Sequence, residues 1–179
     1  MSLRVVSAAA AAVALAAAAS VSAAPRKDAG APVLLAKQTR ASGCLLAAVP
    51  DRRCSPGAYA KKLTQRVVCA ESFRTSDYRN VSTATKHAVE VAYGMTPKSY
   101  GSTLEIDHIV SLELGGSNDP ANLFPEQASP APGYRVKDRL ENRLHALVCK
   151  EHAMTLRQAQ RRIAKDWRGL YERVFGAKP

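Results

Sequence analysis

Residues 105–126, with the sequence EIDHIVSLELGGSNDPANLFPE, decide the fold. Branched and apolar residues are frequent over 102–114, which predicts a strand or one arm of a hairpin. The run GGSNDP at 115–120 predicts a loop, because its residues favour turn conformations. A short second strand is predicted over 122–124 and is expected to end at Pro125. The predicted order is strand, loop, strand.

Helical spacing of apolar residues flanks this stretch on both sides. It predicts a helix over about 83–93 with a serine or threonine N-cap, and another over 134–150 after a breaker-rich segment. The last helix is predicted to begin at a capping box of Thr155 and Gln158 and to place Trp167 in the core. The predicted fold class is α+β, a mainly helical single domain with a C-terminal amphipathic helix.

The beginning of the chain has the pattern of a signal peptide, predicted over 1–23. A positive residue, Arg4, precedes an apolar run rich in alanine, and small residues follow it. A membrane anchor is the alternative, but the run is shorter than the roughly 20 residues that a span needs. We therefore expect a periplasmic or secreted protein without stable membrane association, with a flexible mature N-terminus over 24–42 and one domain over 43–179.

The charge and the cysteines give two further expectations. The chain has 26 Lys and Arg against 15 Asp and Glu, a formal net charge of +11, which favours polyanionic partners such as nucleic acid, anionic lipid or acidic glycan. The four cysteines, Cys44, Cys54, Cys69 and Cys149, have separations of 10, 15 and 80 residues. Zinc sites need shorter spacings, so two disulfides are predicted, with the pairing open.

An adjacent carboxylate and imidazole, Asp107 and His108, supply the candidate chemistry. Phosphodiester hydrolysis needs an activated water and charge neutralisation at the phosphate. A histidine can take a proton from water near neutral pH, and a hard oxygen ligand beside it can hold a divalent cation. Strict strand alternation would direct the two side chains to opposite faces, so the strand must end, bend or bulge there.

The Asp-His pair, the Gly-Gly loop, Asn122 on the second strand and the helical sequence KDRLEN at 137–142 together resemble the HNH endonuclease superfamily. The resemblance covers about a quarter of the chain. It implies a ββα-metal core within 102–150, with His108 as general base and Asp107 as a metal ligand. It also implies that Asn122 bridges loop and strand and helps to orient the base.

The ligand from the helix is the least defined position, because HNH proteins place a His or Asn there. Asp138 is the first choice, since its carboxylate lies in an early turn. Asn142, Glu141 and His145 are the other candidates, although Glu141 could be an ordinary helical ion partner and His145 a surface residue. Glu105 is a candidate second acid or a solvated strand carboxylate.

Basic residues of the same helix, Lys137, Arg139 and Arg143, are expected to bind the nucleic-acid backbone. Asn118 is interpreted as a turn residue of the loop. Two positions depart from the HNH pattern, with Ser111 in place of a proline and Phe124 in place of a tryptophan.

The leading functional hypothesis is an exported, metal-dependent endonuclease with little sequence specificity. Its expected partner is DNA, with RNA as a second substrate, and the resemblance implies a 5′-phosphate product. The expected metal is Mg²⁺, with Mn²⁺ or another transition metal as alternatives; the oligomeric state stays open. The alternative hypothesis is an inactive, basic nucleic-acid-binding protein with a degenerate ββα fold. A glycan-cleaving enzyme would need two carboxylates across a cleft, and Glu105 and Glu113 have no distinctive spacing for it.

Overall fold

The computed structural model describes residues 25–98, 103–128 and 132–179. These residues form an α+β arrangement in which helices predominate. The strands are β1 (Pro32–Leu34), β2 (Ala58–Ala60), β3 (Leu104–His108) and β4 (Leu123–Gln127); the helices are α1 (Gln65–Val68), α2 (Thr75–Tyr78), α3 (Thr83–Ala92), α4 (Tyr134–Cys149) and α5 (Leu156–Phe175). The predicted signal peptide, 1–23, lies outside the described residues.

Strands β3 and β4 form an antiparallel pair that runs from Leu104 opposite Gln127 to His108 opposite Leu123. The first strand is shorter than predicted: it ends at His108, and a 3₁₀ turn at Leu112–Leu114 follows. The second strand is longer, because Pro125 lies inside β4, opposite Ile106. A proline is tolerated there because β4 pairs on one side, so its missing N–H costs no sheet hydrogen bond.

The N-terminal segment differs from the flexible stretch that composition suggested for 24–42. Strand β1 pairs antiparallel with β2, with Val33 opposite Tyr59. Backbone hydrogen bonds at both ends of the segment, from Lys27 N to Asp77 O (2.8 Å) and from Leu35 N to Gly57 O (2.9 Å), tie it to the rest of the molecule. Small and polar residues carry no periodic signal for such long-range pairing.

Helices α3 and α5 begin directly after the capping residues predicted from the sequence. Ser82 caps α3 by accepting a hydrogen bond from Thr85 N. The capping box is confirmed, since Thr155 and Gln158 each accept a hydrogen bond from the other's backbone N–H. Helix α5 is kinked at Asp166, whose φ of −167° and ψ of 84° are non-helical. Trp167 is buried in the core, as predicted.

All four cysteines are paired, as the sequence predicted, by the disulfides Cys44–Cys54 and Cys69–Cys149. The second bond ties the last residue of α4 to the residue that follows α1. Disulfides are typical of proteins from oxidising compartments, so this finding is compatible with export. Within the described ranges, the helices are too short or too polar to cross a membrane.

Candidate functional site

The candidate site lies where β3 ends. Asp107 and His108 are the last two residues of this strand, so the predicted strand end is confirmed. The His108 side chain is buried, with 3 % of the residue exposed, whereas 18 % of the Asp107 side chain reaches solvent. The Asp107 carboxylate acts on His108 electrostatically and opposes the lowering of its pKa. Carboxylate and imidazole therefore lie within electrostatic reach of each other.

Asn118 holds the His108 ring. The distance from His108 Nε2 to Asn118 Oδ1 is 3.1 Å, and Asn118 Nδ2 donates to the carbonyl oxygen of Tyr78 at 2.8 Å. The interpretation of Asn118 as a mere turn residue was wrong. Burial lowers the pKa of His108 to about 4, against the opposing effect of Asp107. The ring is therefore neutral at pH 7 and able to accept a proton.

Asn122 braces the backbone that follows His108 and is fully buried. Its Oδ1 accepts from Ala58 N and Val110 N, both at 3.0 Å, and its Nδ2 donates to Val110 O at 3.0 Å and Ser117 O at 2.8 Å. These bonds use the whole hydrogen-bonding capacity of the amide. The bridge between loop and strand that the resemblance implied for Asn122 is therefore present, and because its amide has no capacity left for the reaction, Asn122 is a positioning residue and not a catalytic one.

Lys137 is buried beneath the site. Its Nζ lies 2.5 Å from Asp107 Oδ2, 2.6 Å from Glu141 Oε1, 2.7 Å from His108 O and 3.5 Å from Glu126 Oε2. With 1 % of the residue exposed, it cannot reach a nucleic-acid backbone, so that prediction was wrong. Glu141 is a partner of this ammonium, the helical ion-pair role that the sequence left open.

The buried carboxyl groups around Lys137 do not all ionise at neutral pH. Burial raises the pKa of Glu126 to about 9 and that of Glu141 to about 8, although Lys137 opposes both shifts. Burial would also raise the pKa of Asp107, but the nearby charge of Lys137 outweighs burial and lowers that pKa to about 2. One ammonium then faces one carboxylate and two neutral acids, which keeps the cluster close to electroneutral.

Three charged groups face the solvent side of the site. Burial raises the pKa of Asp138 and of Glu105, and the Asp107 carboxylate raises both further. The exposed Arg79, which directly follows α2, lowers the pKa of Glu105 and also that of His108. Two carboxylates near Asp107 and one exposed guanidinium near His108 thus share this surface.

Comparisons of the chain with protein-family models, with curated proteins and with solved structures gave no match.

The other predicted site residues of α4 lie in different surroundings. Asn142 is exposed and donates to Asp138 O within the helix. His145 Nε2 lies 3.2 Å from Val68 O, beside the Cys69–Cys149 disulfide. Arg143 pairs with Glu151, and Arg139 lies over the rings of Tyr171 and Phe175. The structure does not bring these four residues to His108.

Two carboxylates at the site, Asp107 and Asp138, suit a hard divalent cation. Across the described ranges, His, Cys, Asp and Glu do not gather in groups of three or more that could hold a metal. Mg²⁺, however, is commonly bound through one or two carboxylates, with water and substrate phosphate as the remaining ligands. Burial and, after it, the negative charge of Asp107 raise the pKa of Asp138, and a cation bound by both carboxylates would relieve their repulsion. Two carboxylate donors are therefore compatible with Mg²⁺ or Mn²⁺, which both prefer oxygen ligands.

A cleft of about 340 Å³ opens beside Asn118. Its lining includes Arg26 and Lys27 from the N-terminal segment, together with Tyr78 and Asn80. Asp28 and Asp119 also line the cleft, so its formal charges balance, and it is its hydrogen-bonding groups that suit a phosphodiester chain. The cleft leads from the surface to the residue that holds the imidazole.

Sequence reasoning missed the roles of four residues of this site, Asn118, Arg79, Glu126 and Lys137, whereas it left the ion-pair role of Glu141 open. Lys137 and Glu141 have a local signal, since they lie one turn apart on the helical face that also carries the buried Leu144. Asn118, Arg79 and Glu126 have none, because their contacts depend on how distant segments meet. Glu126 is buried even though the residue opposite it in the sheet, Glu105, is exposed.

Proposed function

We propose that this protein is a metal-dependent nuclease of the HNH type that hydrolyses nucleic-acid phosphodiesters with little sequence specificity. The observation that carries the proposal is the buried, neutral His108 beside Asp107 at the end of β3, with its ring held by Asn118. The order β3, β4, α4 supports a ββα core. The first turn of α4 reaches the same point, where Lys137 contacts both Asp107 and the carbonyl oxygen of His108.

In this proposal His108 takes the proton from the attacking water, since a neutral imidazole is a competent general base. Asp107 and Asp138 are the residues that would hold the divalent cation. When bound, such a cation neutralises charge on the phosphate and stabilises the leaving oxygen. Arg79, which is exposed and acts electrostatically on His108, would bind a non-bridging phosphate oxygen.

The substrate class follows from charge rather than from base contacts. The net charge of +11 favours a polyanion, and the cleft beside Asn118 presents groups suited to the sugar–phosphate backbone. We propose DNA as substrate, with RNA as a second one, and a 5′-phosphate product. The two disulfides agree with action in the periplasm or outside the cell.

A plasmid-nicking assay with and without EDTA tests the proposal, with Mg²⁺ and Mn²⁺ supplied separately. We expect His108→Ala to lose about 10²- to 10⁴-fold in rate, the usual contribution of a general base. His87→Ala on α3 is the matched control and should cut like wild type. If His108→Ala cuts as fast as wild type, the mechanism is rejected; full activity in EDTA rejects the metal.

One contact favours the second candidate function, a binding protein without activity. Lys137 takes one oxygen of Asp107 at 2.5 Å, which leaves less of this carboxylate for a cation. A binder would show salt-sensitive DNA affinity and no cleavage under any divalent ion. Filter binding from 50 to 300 mM salt beside the nicking assay separates the two functions.

A further inference from the structure

We infer that Asn118 sets the tautomer of His108, holding the ring proton on Nε2 and leaving the lone pair on Nδ1. The catalytic meaning of this inference rests on the proposed function, but the tautomer itself can be measured without any activity. Asn118 is then a positioning residue, which acts on the reaction through the imidazole.

The orientation of the Asn118 amide follows from its two neighbours. The Tyr78 carbonyl oxygen can only accept a hydrogen bond, so the amide must present Nδ2 to it, at 2.8 Å. The other end of the amide, Oδ1, therefore faces the imidazole, and this oxygen can also only accept. His108 Nε2, at 3.1 Å from Oδ1, must then carry the proton.

The opposite tautomer would bring two acceptor atoms together at this distance. Because His108 Nε2 and Asn118 Oδ1 are only 3.1 Å apart, no water fits between them to relieve that contact, and a buried acceptor without a donor is costly. The neutral ring thus has one favoured tautomer, with its basic lone pair on Nδ1. In the proposed mechanism, Nδ1 is therefore the nitrogen that takes the proton from water.

The surrounding loop is built to hold Asn118 in place. Ser117 Oγ accepts from Asp119 N at 3.1 Å, and Asp119 Oδ1 accepts from Ala121 N at 2.9 Å. Ser117 O accepts from Asn122 Nδ2 at 2.8 Å, so Asn122 fixes the residue directly before Asn118. The amide therefore has a rigid backbone on one side and a fixed carbonyl on the other.

The Tyr78 carbonyl is fixed in turn by the N-terminal segment. Arg26 donates to Ser76 O, and Lys27 N donates to Asp77 O, within the short helix that ends at Tyr78. Lys27 also forms an ion pair with Asp77. A chain of contacts thus runs from residues 26–27 through α2 and Asn118 to the imidazole.

Two-bond ¹H–¹⁵N correlation spectra of the full chain, without metal at pH 7, test the inference directly. The chain has four histidines, so His108→Ala assigns the His108 signals by their loss. We expect the Nε2–H pattern in wild type. Asn118→Leu removes the acceptor at similar volume and should give a mixture of tautomers, whereas Asn118→Asp retains an acceptor and should keep Nε2 protonated.

Nuclease kinetics supply the second readout. Asn118→Leu should lower kcat by about 10- to 100-fold, the usual effect of losing a residue that orients a reacting group, with KM changed less than twofold. Asn118→Asp keeps the acceptor for the ring but loses the donor to the Tyr78 carbonyl, so it should restore only part of kcat. An equal change in kcat and folded fraction would indicate a merely structural role and overturn the inference.

The outcomes separate this inference from the proposed function. A wild-type Nδ1–H pattern, or a spectrum unchanged in Asn118→Leu, overturns the role of Asn118 and leaves the nuclease proposal standing on His108→Ala. An active His108→Ala with the expected spectra rejects the nuclease mechanism and leaves the tautomer assignment intact. If Asn118→Leu fails to fold, the wild-type and Asn118→Asp spectra still decide.

Discussion

Replacing Lys137 with methionine removes the ammonium at the centre of the carboxyl cluster and keeps most of the aliphatic stem. The ammonium has short contacts with Asp107 Oδ2 (2.5 Å), Glu141 Oε1 (2.6 Å) and the carbonyl oxygen of His108 (2.7 Å). Lys137→Met should therefore destabilise the protein chiefly by leaving the Asp107 carboxylate buried without its partner.

The size of the loss follows from which partners are charged. Burial raises the pKa of Glu126 and Glu141 enough to keep them neutral at pH 7, so Asp107 alone is left as an uncompensated anion. Removing one member of a buried ion pair costs about 3–5 kcal/mol. For a protein of this size, each kcal/mol shifts Tm by about 2–4 °C, so Tm should fall by about 6–20 °C.

The chain carries its own reporter for this measurement. It has one tryptophan, Trp167, which is buried, so its fluorescence follows unfolding in guanidinium chloride at pH 7 with the disulfides intact. Lys86→Met, at an exposed position of α3, is the matched control and should lie within about 0.5 kcal/mol of wild type. The double variant Lys137→Met/Asp107→Asn should regain about 1–3 kcal/mol, since it also removes the stranded charge.

The result that would refute this reasoning is a loss below about 1 kcal/mol for Lys137→Met. The ammonium would then not be the counter-ion of Asp107. A double variant no more stable than the single one would show that the loss comes from packing and not from the carboxylate.

Three further predictions concern other parts of the fold. The hydrogen bond from Arg53, together with backbone N–H donors, holds the pKa of Asp51 well below its usual range, so Asp51→Asn should cost about 1–2 kcal/mol at pH 7. A carboxyl group whose pKa is lowered by folding stabilises the protein fully only above its unfolded pKa, and this contribution is lost as the pH falls towards the folded pKa. The difference in stability between wild type and Asp51→Asn should therefore shrink in urea melts as the pH falls from about 4 towards 2. Asn122→Ala should lose about 3–5 kcal/mol by leaving buried backbone groups unpaired, whereas the exposed Asn142→Ala should change stability by less than about 0.5 kcal/mol in the same melts. Cys69→Ser/Cys149→Ser opens an 80-residue loop and should lower the free energy of unfolding by about 4.5 kcal/mol through chain entropy. Removing the Cys44–Cys54 bond, which closes ten residues, should cost about 2.7 kcal/mol. An equal loss for both pairs would contradict the dependence on loop length.

The parts of the fold that depend on neighbours along the chain could be predicted from sequence. The capping box at Thr155, the N-cap at Ser82 and the end of β3 at His108 are all set within a few residues. Strand β1 could not be predicted, because its partner β2 lies more than twenty residues away and its own composition is not strand-like. The prediction that Lys137 lies on the surface was wrong, because it followed the usual location of lysines.

The site shows the same division between local and distant causes. Asp107 and His108 are adjacent, so their pairing needs only the strand end. The role of Asn118 depends on the Tyr78 carbonyl, which lies 40 residues earlier and has no side-chain signature at all. Every residue has a backbone carbonyl, so a hydrogen bond to one of them cannot be predicted from residue identity.

The bond between Cys69 and Cys149 also has a consequence for when the protein matures. Helix α4 carries Lys137 and Asp138 in its first two turns and is anchored by this bond at its last residue. A newly made chain in a reducing cytoplasm would carry thiols there, and the helix would lack its anchor. For a protein with the activity proposed above, catalytic competence would then be acquired only after export, away from the chromosome of the cell that makes it.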